Sequence, residues 1–202
     1  MFKTVSTQNA TFDKYLIESI ALRPFFTLIA LILITACSEK RAEPLSTLLS
    51  DTPFIKGSSA YLESPFVTAG DRVYMVGHQN GSFPPLGWHI KGEMGGIWDH
   101  PIKLMDGFDA ELIMDGKVMP LNKATEFTNY PFANKHEFKF EEENITVQRV
   151  QFVPDGKQGV FVQFVIGNHS NKAKNGKFQF ICTSDLQPTW LDERQDMNAA
   201  KD

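Results

Sequence analysis

Only two cysteines, Cys37 and Cys182, occur in 202 residues. That is too few for the disulfide framework that staples small secreted domains. Basic residues are also short, with 20 Lys and Arg against 24 Asp and Glu and a net charge of −4. The charge footprint of a nucleic-acid binder is therefore missing, and no nucleic-acid partner is expected. No apolar run reaches the roughly 20 residues of a membrane-spanning helix. There is no Gly-x-Ser-x-Gly elbow, no phosphate-binding glycine loop after a strand, and no paired-cysteine zinc pattern, so nothing calls for a cofactor. After residue 60 there is no extended helix-period pattern, no repeat and no low-complexity tract.

What is present begins with one apolar run, Phe25 through Ala36, about half the length of a membrane span. Lys14 and Arg23 precede it, as in the positive flank of a secretory signal. Asp13 and Glu18 interrupt that flank, which points to a start codon downstream of Met1. The run closes on Ile34-Thr35-Ala36-Cys37, which resembles a lipobox: small residues before a cysteine whose thiol accepts a diacylglycerol. Polar Ser38-Glu39-Lys40-Arg41 follows at once. A buried core helix would show a polar face, and this run has none. The reading is a lipoprotein signal over residues 1–36, lipidation at Cys37, and a membrane partner reached through that lipid at the bacterial cell envelope, on the periplasmic face or the cell surface. An uncleaved anchor is the alternative. Removing Lys3, Asp13, Lys14, Glu18 and Arg23 with the signal leaves 17 basic and 22 acidic residues, a net charge of −5. Cys182 then stands alone in a hydrophobic strand pattern and is expected to be a small buried hydrophobe.

Residues 37–59 read as a tether, with Pro44, Pro53 and Gly57 and at most a short helix around Leu45 to Leu49. From 60 to 202 the pattern is strand, turn, strand, reinforced by 17 Phe residues. Strands are expected at Arg72–Gly77, Phe108–Met114, His136–Glu141, Ile145–Val153, Val160–Ile166 and Lys177–Thr183. Asp115-Gly116 followed by Lys117-Val118-Met119 predicts a hairpin, because Asp-Gly supplies the positive φ angles of a type I′ turn. Val160–Ile166 is almost wholly apolar, which predicts a central strand buried on both faces. Together these give a mainly β protein, an antiparallel β-sandwich, with few elements at its C-terminal end to close it.

One segment stands apart. Residues 77–109 hold seven glycines, three prolines, two of the three tryptophans and three of the five histidines. Loops of this composition often carry binding sites. In one reading Trp88 and Trp98 stack on sugar faces while His89, Asp99 and His100 bond hydroxyls. A second makes His78, His89 and His100 metal ligands, but their spacing matches no local ligand pattern, and no metal is expected. In a third the loop packs back on the sheet, Trp98 fills a core hole and His100 is a satisfied polar residue. Asp99, Asp106 and Asp109 could supply paired carboxylates for glycoside hydrolysis, although acidic loop residues are usually just solvated. Asn144-Ile145-Thr146 and Asn168-His169-Ser170 match the N-glycosylation pattern, which carries little weight in a bacterial lipoprotein.

The stretch from Val76-Gly77-His78-Gln79-Asn80-Gly81 through Gly87-Trp88-His89 and Gly95-Gly96-Ile97-Trp98-Asp99-His100-Pro101-Ile102-Lys103 resembles the opening of glycogen-debranching-type glycoside hydrolases. Asp185-Leu186-Gln187-Pro188-Thr189-Trp190-Leu191 is similar to the same proteins, so the resemblance covers about residues 60–198. It implies an N-terminal β-sandwich that buttresses an (α/α)6 catalytic barrel. Because the sequence reaches only Asp202, it further implies a detached or truncated support domain. Such a domain would be inactive alone, with no catalytic residue assignable here, and its partners would be a separately encoded barrel and an α-glucan or other glycan. The alternatives are a complete surface lipoprotein that captures carbohydrate and a structural envelope lipoprotein.

Overall fold

The computed structural model describes residues 43–87 and 94–188. The signal segment, Cys37, Trp88, His89 and the chain beyond residue 188 lie outside the described residues.

A short helix α1 (Leu45–Leu48) is followed by β1 (Ile55–Lys56), a 3₁₀ turn at Ser59–Tyr61, β2 (Pro65–Ala69) and β3 (Val73–His78). Then come β4 (Gly96–Asp99), β5 (Ile102–Met114), β6 (Lys117–Pro120) and β7 (Glu126–Asn129). The order ends with β8 (Ala133–Phe140), β9 (Ile145–Phe152), β10 (Phe161–Asn168) and β11 (Gly176–Pro188). Two antiparallel sheets result. One runs β1-β7-β8-β9-β10; the other runs β11-β5-β4-β3-β2, with β6 also on β5. The expected antiparallel β-sandwich is therefore the observed fold.

Local chemistry explains the turns and the layers. Asp115 (φ 50°) and Gly116 (φ 79°) close the β5–β6 hairpin as the Asp-Gly pair predicts. Alternation then sorts the faces: in β8, Asn134, His136 and Phe138 are buried, and in β9, Ile145, Val147, Arg149 and Gln151. One core cluster gathers Leu112, Met119, Leu121, Phe138, Ile145 and Val147. A second gathers Phe66, Val73, Met75, Ile97, Phe108 and Phe127. Each such side chain contributes about 1.5–3 kcal/mol when fully buried.

Three expectations change. First, Pro44–Gly57 is not a free tether. Leu49 of the α1 turn is buried with Tyr130, Ala133 and Val150 on the outer face of β8 and β9, and β1 pairs with β7. The apolar outer face of β9 required a cover, and α1 supplies it. Second, the apolar run Val160–Ile166 forms β10, an edge strand paired only with β9 among the described residues, and it is half-exposed rather than central. Hydrophobic content alone does not distinguish a central strand from an edge whose cover lies elsewhere. Third, Cys182 is exposed rather than buried, because among the described residues β11 pairs with β5 on one side only. Among the described residues no helix is long and apolar enough to cross a membrane.

Candidate functional site

The glycine-rich segment enters the fold at the end of β3 and leaves it along β4 and β5. Trp98 is only 2% exposed, so it is not a sugar-stacking platform. Its indole lies parallel to Tyr74 with centroids 6.2 Å apart and donates to the Gly95 carbonyl at 2.9 Å. β4 lies inside its sheet, between β3 and β5, and the register that sets Trp98 beside Tyr74 turns the ring to the face opposite Met75 and Ile97, where it is covered. Asp99 accepts a hydrogen bond from Gln158 at 2.8 Å, which ties the end of β4 to the β9–β10 turn. His100 is exposed in the β4–β5 turn. Trp88 and His89 lie outside the described residues. The three carboxylates raised for glycoside hydrolysis are also dispersed in role. Asp99 holds Gln158, Asp106 holds Lys103, and Asp109 points outward from β5 in register with Ile181. Among the described residues no group of His, Cys, Asp and Glu is placed to hold a metal ion.

A buried lysine stands behind this segment. Lys103 is 1% exposed and bridges Asp106 at 2.6 Å and Asp185 at 2.7 Å, with its ammonium 5.8 Å from the Trp98 ring centre. A lysine at this depth is tolerable only because two carboxylates neutralise it. The clamp joins β5 to β11, so Lys103 and Asp185, far apart in sequence, meet in space.

The most unusual chemistry lies in the core, and the motif search missed it. Arg149 of β9 is 1% exposed and donates to the Gly81 carbonyl at 2.8 Å. It sits 3.3 Å from the His136 ring, its register partner on β8. Its guanidinium lies over Phe108 at 5.2 Å, Phe83 at 5.9 Å and Phe138 at 6.0 Å, an arrangement in which ring faces stabilise a cation. His136 Nε2 lies 3.3 Å from the His78 carbonyl. One tautomer satisfies both contacts: Nε2–H donates to His78, and Nδ1 accepts from Arg149. Burial, and then the Arg149 charge, hold the imidazole well below its ordinary pKa, while the His78 carbonyl opposes the shift. Burial also lowers the guanidinium to about 9, which leaves it charged at neutral pH. Period-two alternation through Ile145, Val147 and Arg149 carried the signal for this buried arginine.

The anchor fixes the turn at the end of β3. The Gly81 amide donates to His78 O at 2.8 Å, and Gln79 N–H donates to Ser64 O at 3.0 Å. Gly81 itself is required there. Its φ is +96°, and a Cβ would lie 2.8 Å from the Phe138 ring and 3.1 Å from Leu121 O.

The other outstanding surface is the side formed by β10 and β11. Phe164 of β10 meets Phe178 and Phe180 of β11 across the sandwich, with centroids 4.8 and 6.1 Å apart. Ile166, Phe178 and Phe180 are half-exposed on this inner side, whereas Phe161 (59%), stacked on Phe152, and Ile181 (46%), in register with Asp109, are exposed on the outer faces of the same two strands. The outer edges of both strands carry no partner among the described residues. β10 has no ionisable residue, no proline and no break in its register, and so lacks the usual protections of a free edge.

No protein-family model, curated protein or solved structure matches the chain.

Proposed function

We propose that this chain is the non-catalytic β-sandwich of a glycogen-debranching-type glycoside hydrolase, held at the bacterial cell envelope by a lipid on Cys37. In this reading it serves carbohydrate metabolism by docking against an (α/α)6 catalytic barrel through its β10–β11 side. The observation that carries the proposal is the pair of unprotected edge strands with exposed Phe161, Phe178, Phe180 and Ile181. Apolar patches of this kind mark surfaces that work covered. The Lys103–Asp185 clamp adds support, because it joins the two stretches whose sequences resemble such enzymes.

The test begins with the DNA adjoining the coding sequence. A barrel-encoding frame found there is co-expressed with the full chain, and glucose release from a branched α-glucan is measured with and without it. The barrel is expected to co-purify with the chain and to lose activity or solubility without it. Phe161→Asp and Ile181→Asp should abolish co-purification while leaving cooperative unfolding intact. No barrel frame, or a barrel indifferent to the chain and to both variants, refutes the proposal.

A further inference from the structure

A pocket of about 600 Å³ opens where three segments converge: the Ser59–Tyr61 turn with the residues after it, the turn that ends β3, and the β6–β7 connection. Its uncharged polar lining is amide and hydroxyl, supplied by Asn80, Asn122, Ser59 and Ser82. Asn80 Oδ1 accepts from the Ser82 amide at 2.9 Å and the Ser82 hydroxyl at 2.7 Å, which leaves the Asn80 amide nitrogen as a donor. Asn122 Oδ1 is a buried acceptor with no hydrogen-bond partner among the described residues. The two ionisable residues of the lining, Glu63 and Lys123, have opposite charges, so the site selects neither an anion nor a cation by net charge. Leu62 supplies an apolar wall.

This pocket is preorganised from beneath. The Asn80 carbonyl accepts from the Ala124 amide at 2.8 Å, which binds two of the three segments together. Arg149 holds the neighbouring Gly81 carbonyl at 2.8 Å, and His136 faces the His78 carbonyl. A buried cation set against carbonyls of one surface turn fixes the position of its side chains, and this lowers the ordering cost of binding.

We propose that the pocket binds a neutral polyhydroxylated ligand, with the chemistry of a single sugar ring. A pyranose presents alternating hydroxyl donors and acceptors around an apolar C–H body. The lining offers the complement: an amide donor at Asn80, an orphan acceptor at Asn122, two hydroxyls and Leu62. Arg149 is here a positioning residue. The site shares no residue with β10 or β11, so it stands apart from the barrel-docking proposal.

The experiment uses the full chain in detergent, titrated with glucose and maltose and, as charged controls, glycine and inorganic phosphate. Amide shifts in NMR spectra and the unfolding temperature are the readouts. The sugars should shift the Asn80 and Asn122 side-chain amides saturably, and the controls should not. Asn122→Ala and Asn80→Ala should each weaken the sugar at least tenfold. Both variants must still unfold cooperatively, and Asn80→Ala provides the reading if Asn122→Ala fails to fold. Absence of saturable sugar binding, an equal response to glycine or phosphate, or full affinity in folded variants overturns the assignment. Barrel co-purification would be untouched by that failure, because it reads Phe161 and Ile181.

Discussion

Acidification from neutral pH to about pH 5 puts a direct load on the core anchor, because His136 is the buried group that must change charge on unfolding. Its folded-state pKa lies well below 6.5 through burial first and the Arg149 charge second. In the unfolded chain the imidazole returns to about 6.5. Below that value the unfolded chain binds a proton that the folded chain does not, so stability falls as the pH falls. The full contribution is present above pH 6.5. The slope approaches about 1.4 kcal/mol per pH unit, giving a loss of about 2 kcal/mol by pH 5. For a domain of this size that corresponds to a fall of about 4–8 °C in Tm. His78, also lowered by burial and opposed by Glu63, adds a loss of the same sign. Glu143, whose pKa is lowered by its bond to Lys117, acts only below the ordinary carboxylate range and so lies outside this window. The assay is urea denaturation at several pH values on the chain and on His136→Gln. Gln can donate to the His78 carbonyl and accept from Arg149 but does not titrate. The wild type should lose about 2 kcal/mol more than His136→Gln across the window. Parallel slopes for the two proteins would refute the placement of a neutral imidazole against Arg149.

Gly81→Ala should cost about 3 kcal/mol, since a β-carbon at φ +96° adds backbone strain to a clash with the Phe138 ring and Leu121 O. Chemical denaturation reads this, and a variant within experimental error of the parent contradicts the turn geometry. Cys37→Ala should remove labelling by radioactive palmitate and release the chain from the membrane fraction; a parent chain that takes up no label sinks the lipobox reading. Native-state hydrogen exchange should find the β8–β9 amides slowest, because both strands lie inside a sheet and line the core. Amides on the outer edges of β10 and β11 should exchange fastest among the strands, and uniform protection across the sheet would count against free edges.

The strands were legible where local chemistry leaves one choice. Asp115-Gly116 admits a tight hairpin and little else, and the alternation of Phe138 and Phe140 against Lys139 and Glu141 fixes which face of β8 turns inward. Legibility failed where a residue's environment depends on strands distant in sequence. Val160–Ile166 looks central by composition, yet its position in the sheet depends on what pairs beyond it. Cys182 lies in a good strand pattern, but β11 has one neighbour among the described residues, so the pattern does not bury it. Trp98 resembled a platform because glycines surround it in sequence, whereas β3 and β5 flank it in space. Arg149 was hidden for the opposite reason. Its charge argues for the surface, and only the aromatic faces of Phe83, Phe108 and Phe138, gathered from three other segments, make its burial tolerable.

Placing Arg149 in the core also divides the labour of the molecule. A buried guanidinium beside an imidazole is a costly way to fill space, since apolar residues of similar volume would pack at lower cost. Its return is geometric: it donates outward to the backbone of one surface turn, between Phe83 of that segment and the floor of the sandwich. The turn in turn carries Asn80 and Ser82. Rigidity therefore concentrates at β3, β8 and β9, where fixed positions serve recognition. The β10–β11 side has the opposite character, with aromatic side chains half in solvent and, among the described residues, no strand paired along either outer edge. A surface of that kind gains most by being covered, and a preorganised amide-lined pocket gains most by staying open. Pocket and edge thus ask for different partners, and substitutions in one should leave the other's binding unchanged.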